Sequence, residues 1–178
     1  MRPIVFLDID DVMVLNKKFG GRHVLKYFDR GDGVGLDDWP ELWSELILPA
    51  ARANLRALHD EFNPEYVISS SWVKHFEKDQ LIEIFERTGL PFVSENLHKN
   101  WMPPWKMSSQ RVHEICWWLD KNDVKQYVVL DDLNSGYSLR DAHLLHPTLA
   151  EHVVFCDADI GFVYDKYAKA REILSSAS

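Results

Sequence analysis

Phe6-Leu7-Asp8-Ile9-Asp10-Asp11-Val12-Met13 is the stretch on which the fold turns. The residues leading into it, Ile4 to Leu7, form a short apolar run with β-branched and aromatic side chains, the pattern of a strand buried on both faces. Asp8 and Asp10 stand where that run stops, and the two-residue period of extended backbone sends both carboxylates to the same side. Two converging carboxylates at a strand tip make an ion site or a nucleophile site.

Four further strands are expected downstream, at Tyr66 to Ser69, Pro91 to Val93, Tyr127 to Leu130 and His152 to Cys156. Helical periodicity separates them. Pro49 suits a first helical position, with Ile47, Ala51, Leu55, Leu58 and Phe62 on one face as far as the Asn63-Pro64 pair. Leu81, Ile84, Phe85 and Thr88 mark a helix closed by Gly89. Ser108 or Ser109 can cap a helix carrying Val112, Ile115, Cys116 and Leu119, and Val163, Tyr167, Ala170 and Leu174 mark the closing helix. Residues 16–43, punctuated by five glycines, are expected to be an irregular insertion after the first acidic motif. A second irregular loop, residues 96–107, carries Trp101 and Trp105.

Strands alternating with helices predict an α/β fold with a mainly parallel sheet, because parallel strands need crossovers and the crossovers carry the helices. Ligands in such sheets bind at the carboxyl ends of strands. The polar clusters obey that rule: Asp8 and Asp10 follow the first strand, Ser69 to Ser71 the second, and Asp131 and Asp132 the fourth. A pair of aspartates after one strand is as readily a turn former. Three clusters at one sheet edge favour a site.

The 178 residues, 46% of them hydrophobic, suffice for one domain with a proper core, and a single domain over residues 1–178 is the expectation. Cys116 and Cys156 form no CxxC pair, no apolar run approaches the roughly 18 residues of a membrane span, and the first residues lack the regions of a signal peptide. A cytoplasmic protein with no membrane partner is expected. A net charge of −8 argues against broad coating by nucleic acid while leaving room for a local basic groove. His23, His113, His143, His146 and His152 show no metal-ligand spacing.

Several carboxylates converging at one edge repel one another, so holding them ionised calls for a divalent cation, and hard oxygen ligands select Mg²⁺. One carboxylate free to attack beside such a cation is the layout for phosphoryl transfer through an aspartyl phosphate. Serine hydroxyls and a basic side chain would hold the phosphoryl oxygens.

DIDDV after the first strand, VISSS after the second, a basic residue near the next helix start and VLDD after the fourth resemble the four motifs of the haloacid dehalogenase superfamily. VISSSW with RVHEICWWL and YVVLDD is similar to the small domains of that superfamily associated with RNA-repair proteins. The resemblance implies a Rossmann-like sheet of order 5-4-1-2-3, with Asp8 as nucleophile and Asp10 as the general acid that protonates the leaving oxygen and then activates water. It also implies Mg²⁺ held by Asp8, the Asp10 carbonyl, and Asp131 or Asp132, with Ser70 as the phosphate-binding hydroxyl and Ser71 beside it. Two features depart from the family pattern. Asp11 stands where glycine is usual, and the third-motif cation is Arg111 or Lys106, with Arg111 preferred.

Superfamily members acting on small molecules usually carry a cap domain, and neither insertion here is long enough to be one. An open site favours a bulky phosphorylated substrate that excludes water itself, such as a nucleic-acid end or a phosphoprotein, or a partner chain that serves as the lid. A nucleic-acid end is the leading expectation, a free mononucleotide the alternative, and a non-catalytic binding module the rival from another class. Transfer of the phosphoryl group to an alcohol stays open, as does the oligomeric state. Trp72, Trp101 and Trp105 lie on the expected site edge and could stack bases, although packing is the commoner role, as it is for Trp117 and Trp118.

Overall fold

Ile4–Leu7 (β1) is wholly buried and pairs in parallel with Glu65–Ile68 (β2) on one side and Tyr127–Asp132 (β3) on the other. The computed structural model describes residues 2–29, 39–105 and 110–176. Beyond β3 lies Val153–Cys156 (β4), so the described strands form a parallel sheet of order β2-β1-β3-β4. The helices are Gly21–Asp29 (α1), Leu42–Glu45 (α2), Pro49–Phe62 (α3), Lys78–Arg87 (α4), Pro91–Glu95 (α5), Arg111–Asp120 (α6), Tyr137–Arg140 (α7), Ala142–Leu145 (α8), Pro147–Ala150 (α9) and Tyr164–Ser176 (α10). Ser71–Lys74 forms a single 3₁₀ turn after β2.

Successive strand residues alternate between two cores. Val5, Leu7, Tyr66, Ile68, Val128 and Leu130 face the layer containing α3, α4 and α10, where Leu55, Leu58, Leu81, Phe85 and Leu174 are buried. Ile4, Phe6, Val67 and Val129 face the other layer, where Val112, Ile115 and Trp118 of α6 pack. Each fully buried aliphatic or aromatic side chain contributes roughly 1.5–3 kcal/mol, so both faces of β1 hold it rigidly. The helix ends follow local chemistry. Asn63 closes α3 in the left-handed conformation, at φ 46°. Gly89 follows α4 at φ 79°, a backbone that most side chains resist.

Two expectations are corrected. Residues 91–93 are not a strand: Pro91 opens α5, and Phe92 and Val93 are buried in the core. Proline has no N–H for a ladder, and its fixed φ suits a first helical turn. The chain reaches the outer edge of β2 only afterwards, at a single bridge between Tyr66 and Leu97, backed by a hydrogen bond from the Ile68 N–H to the Trp101 carbonyl. In the numbering of the five expected strands the observed order is 2-1-4-5, which is the expected 5-4-1-2-3 without its third strand.

The insertion after the first motif is also not wholly irregular. Residues 21–29 are helical, with Val24 buried and Leu25, Tyr27 and Phe28 packed on the core. Residues 30–38, with three of the five glycines, lie outside the described residues. Among the described residues no helix is long and apolar enough to cross a membrane.

Candidate active site

Register brings the three polar clusters together. Leu7 lies opposite Ile68 and Leu130, so the next residues, Asp8, Ser69 and Asp131, emerge side by side at the carboxyl edge of the sheet. Two backbone hydrogen bonds lock the edge, from the Asp8 N–H to the Leu130 carbonyl at 3.0 Å and from the Ser69 N–H to the Leu7 carbonyl at 3.0 Å. Asp8, Ser69, Ser70, Asp131 and Asp132 are all buried.

Among the described residues, Arg111 brings a positive charge to this cluster. It is the first residue of α6 and only 8% exposed, with Nη2 3.7 Å from Asp8 Oδ1 and Nε 3.4 Å from Asp131 Oδ2. The helix start is fixed from across the molecule by the Ser138 hydroxyl, which accepts from the Val112 N–H at 3.2 Å. Lys106, the rival cation, and the capping candidates Ser108 and Ser109 lie outside the described residues.

The turn after β3 adds a residue that sequence reading missed. The Ser135 hydroxyl lies 3.1 Å from Asp8 Oδ2 and 3.0 Å from Asp131 Oδ1, and closer still to Asp132 Oδ2. Asp132 Oδ1 accepts the N–H groups of Asn134, at 2.5 Å, and Ser135, at 3.0 Å. The turn is possible because residue 136 is glycine: a Cβ there would come within 2.6 Å of the Asp132 carbonyl and 2.8 Å of Asp131 Oδ1.

Asp10 faces elsewhere. Its Oδ1 accepts from Asn16 Nδ2 at 2.8 Å and its Oδ2 from Trp72 Nε1 at 2.9 Å. Both carboxylate oxygens are thus engaged, and Asp10 is not among the clustered carboxylates Asp8, Asp131 and Asp132. Trp72 is 3% exposed and packs in the core, so it is not a platform for stacking bases. Asp11 adopts φ 55°, and its N–H reaches the Val14 carbonyl at 2.8 Å. The left-handed turn usually given to glycine is therefore made here by aspartate, one of the few side chains that tolerate it.

Burial works against ionising the cluster. Burial, reinforced by the charge of Asp131, pushes the Asp8 carboxyl well above the usual carboxylate range, against the opposing pull of Arg111 and a Ser70 hydrogen bond. Burial raises Asp131 as well, against Arg111 and Ser135. Asp131 Oδ2 is buried and accepts no hydrogen bond from the described residues. The Ser135 hydroxyl has one proton for three carboxylate neighbours, so two of its contacts set oxygen against oxygen. Asp8, Asp131 and Asp132 each offer an oxygen within 4.8 Å of the others. This donor set fits a hard divalent cation, which would supply positive charge.

A cavity of ≈ 140 Å³ opens over the cluster, lined by Ser69, Ser70 and Ser71 on one side and Arg111, Glu114 and Ser135 on the other. Ser70 is buried and its hydroxyl accepts the Trp72 N–H at 3.4 Å, whereas Ser71 is partly exposed. The Ser69 hydroxyl is buried and has no hydrogen-bond partner among the described residues. Hydroxyls and a guanidinium facing one small cavity beside buried carboxylates can hold an oxyanion against a nucleophile.

A family model described as the HAD domain in Swiss Army Knife RNA repair proteins matches residues 4–166. No curated protein matches the sequence. Among solved structures, a haloacid dehalogenase-like hydrolase from Burkholderia xenovorans LB400 is similar over 87% of this chain and 81% of its own, at 15% identity and a TM-score of 0.42.

Proposed function

Because the chain belongs to the family of haloacid dehalogenase domains found in Swiss Army Knife RNA repair proteins, we propose that it is a Mg²⁺-dependent phosphatase acting on a phosphomonoester at a nucleic-acid end. The observation that carries the proposal is Arg111, which lines the small cavity while standing 3.7 Å from the buried Asp8 carboxylate. A phosphoryl group in that cavity would meet the guanidinium and Ser70, and the guanidinium in turn stands beside the proposed nucleophile.

In the proposed reaction an Asp8 carboxylate oxygen attacks phosphorus, the bond to the leaving oxygen breaks, and Asp10 gives that oxygen its proton. Asp10 then accepts a proton from water, whose oxygen attacks the aspartyl phosphate, and the bond to Asp8 breaks to release inorganic phosphate. Arg111 and Ser70 hold the equatorial oxygens, with Ser71 at the mouth and Lys106 as a further candidate cation. Mg²⁺, held by Asp8, the Asp10 carbonyl and Asp131 or Asp132, would supply the charge neutralisation that phosphoryl transfer needs. The Trp72 and Asn16 clamp turns the Asp10 carboxylate away from that ligand set and keeps it for proton transfer.

The test is phosphate release with and without Mg²⁺ from an aryl phosphate, mononucleotides, and 5′- and 3′-phosphorylated oligonucleotides, beside Asp8→Asn. Release that needs Mg²⁺ and is lost in the variant supports the mechanism, and preference for an oligonucleotide supports the substrate. A mononucleotide preferred over every oligonucleotide replaces the substrate with a free nucleotide. Mg²⁺ binding with no release from any substrate overturns the phosphatase in favour of a binding module.

A further inference from the structure

A second cavity, of ≈ 390 Å³, runs along the carboxyl-terminal half of α6. Trp101, Met102 and Pro103 form one wall and Trp117 the other, with Lys99 and Lys121 at the rim. Pro103 lines both this cavity and the one beside Ser70 and Arg111, so the two are neighbours on either side of that residue.

The walls are fastened. Trp118 Nε1 donates to the Asn100 carbonyl at 2.7 Å, Asn122 Nδ2 donates to the Trp118 carbonyl at 2.6 Å, and Asn100 Nδ2 donates to Asn122 Oδ1 at 2.9 Å. Trp118 spends its ring in the core, edge-on to Phe6. Trp117 stays partly exposed, as does Met102. Trp117 and Lys121 are four residues apart and share one helix face.

Aromatic surface flanked by lysines, on a chain of net charge −8, selects a ligand that is both planar and anionic. We propose that this groove seats the single-stranded segment adjoining the terminal phosphate, its bases against Trp117 and the exposed part of Trp101, its backbone phosphates facing Lys99 and Lys121. This rests on the reading of the neighbouring site as a phosphatase of nucleic-acid ends. Arg111 and Trp118 are seven residues apart on α6, about 10 Å of helix at 1.5 Å per residue. The rise of about 3.4 Å per nucleotide belongs to stacked duplex, and an unstacked strand spans more, so the groove falls at the second and third nucleotides from the end.

The experiment is a binding titration of labelled single-stranded oligouridylates of increasing length, with and without a terminal phosphate, against the full chain and against Trp117→Ala, Trp117→Phe, Lys121→Glu and Lys125→Glu. Affinity should rise to about three nucleotides and then level. Trp117→Ala and Lys121→Glu should each weaken the longer oligonucleotides about tenfold, Trp117→Phe should recover most of the loss, and the off-groove Lys125→Glu should matter little. Length-independent affinity, equal effects of Lys121→Glu and Lys125→Glu, or a polyglutamate peptide competing as well as RNA would overturn the proposal. Binding of the unphosphorylated oligomers needs no turnover, so the groove is tested even if no substrate releases phosphate. Phosphatase activity toward an aryl phosphate with no oligonucleotide binding would sink the groove alone. Should Trp117→Ala lose its circular dichroism signature, exposed Lys121→Glu decides.

Discussion

Trp72 Nε1 donates a 2.9 Å hydrogen bond to Oδ2 of Asp10, and the indole that makes it is buried against the core. The carboxylate is thereby held by a rigid group on one oxygen and by Asn16 on the other. General acid–base catalysis contributes roughly 10²–10⁴-fold, and a carboxylate free to rotate loses part of that. Trp72→Phe should lower kcat for an aryl phosphate about tenfold while KM stays within about twofold, because the phosphate-holding groups are untouched. Steady-state kinetics with a melting curve to confirm folding would check this. A raised KM with unchanged kcat would mean that Trp72 shapes binding instead.

Asp8 should cost the metal-free protein stability. The unfolded chain ionises it near about 3.9, whereas burial and Asp131 hold its folded value well above that. The folded state thus binds the proton more tightly, so stability is full below the unfolded value and falls as pH rises through the folded one. Asp8→Asn removes a group that must ionise. In EDTA the variant should melt higher than wild type at pH 7, with the gain vanishing as pH falls toward 4. Adding Mg²⁺ should raise the wild-type melting temperature more than the variant's. A variant that melts lower at every pH would show that the carboxylate stabilises the metal-free fold.

Arg111 answers for two buried carboxylates. Removing one partner of a buried ion pair costs about 3–5 kcal/mol, although protonation of Asp8 and Asp131 would limit the loss here. Arg111→Met should raise both folded carboxyl values further, so its destabilisation deepens from pH 5 to pH 8. Arg111→Lys, which keeps the charge without the fork, should fall between. Urea melts in EDTA at the two pH values measure this. An equal loss at both would assign the side chain a packing role.

The sheet and most of the site were legible because both depend on short-range pattern. Apolar runs that stop at a polar pair mark strand tips, and parallel pairing then aligns Asp8, Ser69 and Asp131 without further information. Pro91-Phe92-Val93 misled because three apolar residues carry no period, and the proline that opens a helical turn looks the same at the start of a strand. Helix α1 was hidden by the glycines around it, though Val24, Tyr27 and Phe28 already had helical spacing. Ser135 could not be singled out by type, since its position comes from a turn that depends on the missing Cβ of Gly136. The Trp72 to Asp10 bond spans 62 residues and left no local trace.

Asp11 separates backbone from charge. At φ 55° it occupies a region that costs most side chains about 1–2 kcal/mol and aspartate less. Asp11→Gly relieves that strain but loosens the unfolded chain by about 0.4–1 kcal/mol, so stability should change by no more than about 0.5 kcal/mol. Asp11→Val meets the full steric cost beside a branched Cβ and should lose about 1–2 kcal/mol. If the aspartate serves only to make the turn, Asp11→Gly should keep kcat within about threefold of wild type. Denaturant melts and phosphate release on both variants check the two halves. A rise of tenfold or more in kcat for Asp11→Gly would instead show that the carboxylate, lying near Asp10 and Asp132, restrains turnover through its charge.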